Sequence, residues 1–71
     1  MPNTTGTNDA TYNLVSVLYH ALQGADLYEK YAKDAGSDHD LVSFFREVQE
    51  QEKMRAFHAK QLLSKRLQQG G

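Results

Sequence analysis

Two long stretches of this chain carry apolar side chains at intervals of three and four, and only a short glycine-centred break divides them. In the first, from about residue 9 to 35, the stripe is Leu14, Leu18, Ala21, Ala25, Tyr28, Ala32 and Ala35. Val15 and Leu22 widen it on one side, and Val17, Gly24 and Tyr31 on the other. In the second, from about 38 to 67, it is Leu41, Phe45, Val48, Glu52, Arg55, Ala59 and Leu62, widened by Val42, Phe44 and Leu63. Heptad stripes on two long helices joined by a tight turn specify an antiparallel hairpin. Asn8 or Asp9 is a plausible N-cap for the first helix, and Gly36 supplies its left-handed stop. Ser37 is expected to cap the second, with Asp40 three residues on as in a capping box. Nothing alternates with period two, so the fold class is all-α.

Length decides what the hairpin must do next. A chain of 71 residues without a single cysteine has no disulfides and no thiolate metal site to reinforce a small core. Two helices cannot surround a core, and each keeps a wide apolar face after pairing with the other. Two hairpins are therefore expected to dock as a homodimer, forming a four-helix bundle with scope for higher assembly. The hairpin domain spans 9–69, and the small, polar residues 1–8 are expected to be a disordered tail. A net charge of −1 disfavours nucleic acid, which needs a concentrated basic surface. No apolar run approaches the roughly 20 residues of a membrane span, and MPNTTGTND lacks the parts of a signal peptide. A soluble, cytoplasmic protein is the expectation.

The stripe breaks in its middle. Glu52 and Arg55 take core positions between Val48 and Ala59, and the small residues Gly24 and Ala25 stand opposite. A two-fold dimer would double the pair into a layer of two Glu and two Arg. Isolated buried charges cost several kcal/mol each, so such a layer has to be mutually paired or bind something.

Around these residues the chain resembles the ferritin-like superfamily, closest to the rubrerythrin type. The stretch ALQGADLYEKYAKDA, Ala21 to Ala35, is similar to the family's Gly-Glu followed by Tyr and small residues. FFREVQEQEKMRA, Phe44 to Ala56, is similar to the segment ending in Glu-x-x-His-Ala. The resemblance spans about residues 13–65. It implies half of a four-helix bundle in which each half gives one Glu and one Glu-x-x-His to a pair of irons. Carried over by position, the first Glu falls on Ala25, the second on Glu52 and the His on Arg55. One ligand of three survives, and Arg cannot ligate a metal. The resemblance thus implies the scaffold with a degenerate site, the guanidinium standing where a cation would.

Other candidates weigh less. Asp26 with Glu29, and Glu47 with Glu50, read as solvated helix charges. His58 lies at the edge of the stripe, while His20 and His39 read as surface residues. The three histidines do not converge as a zinc site requires, and no nucleophilic triad is available. Met54, Phe57 and Leu67, with Tyr12 and Tyr19 on the first helix, point outward and form a candidate interface for further copies or a protein partner. The leading expectation is a non-catalytic homodimeric assembly or interaction module without a cofactor. The alternative is a carboxylate-bridged iron or manganese protein, a rubrerythrin-like oxidase or peroxidase built across the dimer. Glu52 would serve there with His58 or Glu29 turned inward.

Overall fold

The computed structural model describes residues 9–68; the N-terminal tail expected over 1–8, the candidate cap Asn8 and the terminal glycines lie outside them. The chain forms two helices, α1 (Asp9–Ala35) and α2 (His39–Gln68), packed antiparallel along their length. The turn follows from three residues. Gly36 adopts φ 61°, a left-handed conformation that costs glycine nothing, and its N–H donates to the Lys33 carbonyl at 3.2 Å. The Asp38 N–H then donates to the Ala35 carbonyl at 3.1 Å. Asp38, not Ser37, caps α2: its Oδ1 accepts from the Leu41 N–H at 3.2 Å. Ser37 is used up in the turn between the left-handed glycine and the cap. Asp40 sits in the first turn, where a negative charge favours the helix N-terminus, and it does not complete a capping box.

The seam between the helices is made of small side chains. Ala21, Ala25 and Ala32 of α1 and Ala56 and Ala59 of α2 are its buried apolar residues. On α1 the apolar stripe packs as its spacing suggested. On α2 the packed row is Val42, Phe45, Gln49, Glu52, Ala56, Ala59 and Leu63, rotated from the row of larger side chains. Leu41 and Leu62, at the core in the sequence reading, are exposed instead. Close approach of two backbones favours alanine in the seam, so hydrophobicity ranked the wrong row first. The large apolar side chains gather elsewhere. Near the turn Tyr28, Tyr31, Phe44 and Phe45 form a knot with ring centroids 5.3–6.2 Å apart.

The hairpin measures 49 × 24 × 13 Å, so it is one helix thick. Its radius of gyration is 15.8 Å, against about 11 Å for a compact chain of this length. No large side chain is fully buried among the described residues. Both broad faces of the hairpin are therefore open, and they differ in chemistry.

Candidate functional site

On one side of the seam a closed polar network ties the helices together. Gln49, 5% exposed, lies on the packed row of α2. Its Nε2 donates to the Ala25 carbonyl at 2.9 Å and to Glu29 Oε1 at 3.2 Å. Its Oε1 accepts from the Arg46 guanidinium at 3.0 Å, and the same Arg46 nitrogen donates to Glu29 Oε1 at 2.6 Å. Each polar atom of the glutamine side chain is thus satisfied, which is what makes its burial tolerable. These bonds hold the Glu29 carboxyl below its ordinary value of 4.5, the Arg46 bond contributing most and Gln49 next. Lys33 stands 3.8 Å away on the same helix. Neither Gln49 nor Arg46 stood out in the sequence. The available signal was that Gln49 recurs at sevens with Val42, Ala56 and Leu63, which marks a seam position whatever its polarity.

The opposite side of the seam is apolar. Val17, Gly24 and Tyr31 form a row at sevens on α1, and Leu41, Val48, Arg55 and Leu62 form one on α2. The two rows flank the seam together. At the open end a groove joins Val17 to Leu62, and at the turn end another joins Tyr31 to Leu41 and Phe45. Between them Gly24 lies against Glu52: a Cβ built on the glycine would come 3.5 Å from the Glu52 side chain, ordinary contact. The Glu52–Arg55 pair occupies the middle of this face. Arg55 Nη1 lies 2.6 Å from Glu52 Oε1, with the glutamate side chain 20% exposed and the arginine 54%. In the single hairpin the pair is formed, and its arginine lies open to solvent.

The residues of the alternative metal reading do not converge within one chain. Glu29 is engaged by Arg46 and Gln49, Glu52 by Arg55, and His58 is exposed on α2. No group of three His, Asp or Glu side chains is close enough to hold a metal among the described residues. Ala25, where the resemblance places a ligand, is a buried seam alanine. Within one hairpin, the two carboxylates nearest the seam are both engaged by guanidinium groups. Met54, Phe57 and Leu67 of α2 and Tyr12 and Tyr19 of α1 are all exposed; Met54 and Phe57 line a surface hollow together with Arg55, and Tyr19 packs edge-on against His20 at 5.4 Å. No described helix is long and apolar enough to cross a membrane.

No family model, curated protein or solved structure matches this chain.

Proposed function

We propose that the chain is a non-catalytic assembly module whose hairpin pairs with a second copy into a four-helix bundle of the ferritin-like kind. The contact face is the row of Val17, Gly24 and Tyr31 with the row of Leu41, Val48 and Leu62. One observation carries this reading: a sheet of two helices 13 Å thick leaves Val17, Leu62, Tyr31 and Leu41 exposed towards the two ends of one face, on either side of the central Glu52–Arg55 pair. An alanine seam removes little apolar area from water, and a second layer over the face would add the missing burial. Glu52 and Arg55 at the centre of the face suit a self-complementary contact, because each copy brings one acid and one base. The pair would then form the central ionic layer of the bundle, desolvated only on assembly.

Sedimentation velocity tests the reading directly. The expected species has twice the 8.0 kDa mass of the chain. A Leu41→Asp/Leu62→Asp variant should sediment as a monomer, because it puts a charge at each end of the face. A chain that stays monomeric at high micromolar concentration would overturn the proposal. Phe57→Asp, on the outer surface, is expected to leave the dimer intact and to affect only higher assembly or a protein partner.

A further inference from the structure

The near-zero net charge conceals a strong separation of sign along the hairpin. The turn half, residues 24–51, holds seven acidic side chains against three basic ones, a balance of −4. The open half, residues 9–23 and 52–68, holds two acidic side chains, Asp9 and Glu52, against five basic ones, a balance of +3. All five basic side chains come from one segment of α2, residues 53–66, and the α1 segment beside it, residues 10–23, carries no charged side chain.

From this juxtaposition we infer that the two copies dock antiparallel, the acidic turn end of each beside the basic open end of the other. The inference rests on the pairing proposed above and adds its orientation. Side by side, two hairpins place their halves about 10 Å apart, near the screening length of about 8 Å at physiological salt. Like halves brought together would repel at both ends of a parallel pair, and unlike halves attract at both ends of an antiparallel one. The docking face agrees. A two-fold axis across the helices passes near the middle of the face, where Gly24, Glu52 and Arg55 lie. In that arrangement α1 crosses over the partner's α1, with Val17 of one copy opposite Tyr31 of the other. Arg55 comes within reach of the partner's Glu52. A parallel pair would set α1 over the partner's α2 instead, with Val17 near Leu62.

The chain has no cysteine, so single-cysteine variants report position cleanly. Val17→Cys mixed with Tyr31→Cys should join through a short bis-maleimide, while Val17→Cys mixed with Leu62→Cys should not. Raising NaCl from about 50 to about 500 mM should weaken the dimer, on the order of tenfold in Kd. Preferred joining of Val17→Cys to Leu62→Cys, or a dimer that tightens with salt, would overturn the orientation while leaving the pairing in place. A monomer in sedimentation would remove both.

Discussion

Two ion pairs of equal length do different work in this hairpin. Arg46–Glu29 bridges the helices, and Gln49 locks it to the Ala25 carbonyl beneath. Glu52–Arg55 spans one turn of α2 alone, three residues apart, and leaves the arginine more than half exposed. Both measure 2.6 Å, so distance does not separate them. What separates them is whether a third, buried group shares the bonds and whether the pair crosses from helix to helix. The first sets the register of the hairpin. The second holds no helices together and leaves its guanidinium available to another molecule. It is the only charged pair on an otherwise apolar face among the described residues, which is why the pairing surface is assigned to that side.

Gln49→Ala should cause the largest loss, about 2–3 kcal/mol in urea unfolding at fixed protein concentration, because it removes a buried donor pair and leaves a void. A loss no larger than that of an exposed glutamine such as Gln51→Ala would mean the network is ornamental. Asp38→Ala should cost about 1 kcal/mol through the lost cap, whereas Ser37→Ala should be close to neutral. The reverse order would return the cap to Ser37.

A pH series sharpens the contrast. Glu29 is held below its ordinary value in the folded hairpin, so its contribution is present above that value and is lost as pH falls through the lowered one. Wild type should therefore exceed Glu29→Gln in unfolding midpoint near neutral pH and lose that lead in acid. A lead that persists at about pH 2–3 would assign the difference to shape rather than charge. Arg55→Ala should have the smallest effect on the hairpin, about 0.5 kcal/mol or less, as for other exposed pairs. Its effect on association should be larger than its effect on the isolated fold, and sedimentation at matched stability would separate the two.

Much of the fold was legible in the chain. Gly36 between two long periodic stretches demands a stop and a reversal, and absent alternation excludes a sheet. The α1 seam could be read because its alanines and leucines leave no competing row. The α2 seam could not, because Leu41, Val48 and Leu62 outrank Gln49 and Ala56 on any hydrophobic scale. The rank reverses in the hairpin, where backbone proximity favours small side chains and a glutamine with three partners is as well placed as a leucine. The candidate site was legible in part. Glu52 and Arg55 stand out as charges within a stripe, and their spacing already implies the bond between them. Arg46 and Glu29 belong to different helices, 17 residues apart, and nothing local to either announces the other.

The helical class and the place of the reversal were set by the chain's own residues. Both depend on periodicity and on one left-handed glycine, which are local. Only the tertiary structure decided which row of α2 faces α1, which carboxylate is held and which pair stays open. These outcomes depend on which atoms meet across the seam, and that is fixed by how closely two backbones can approach.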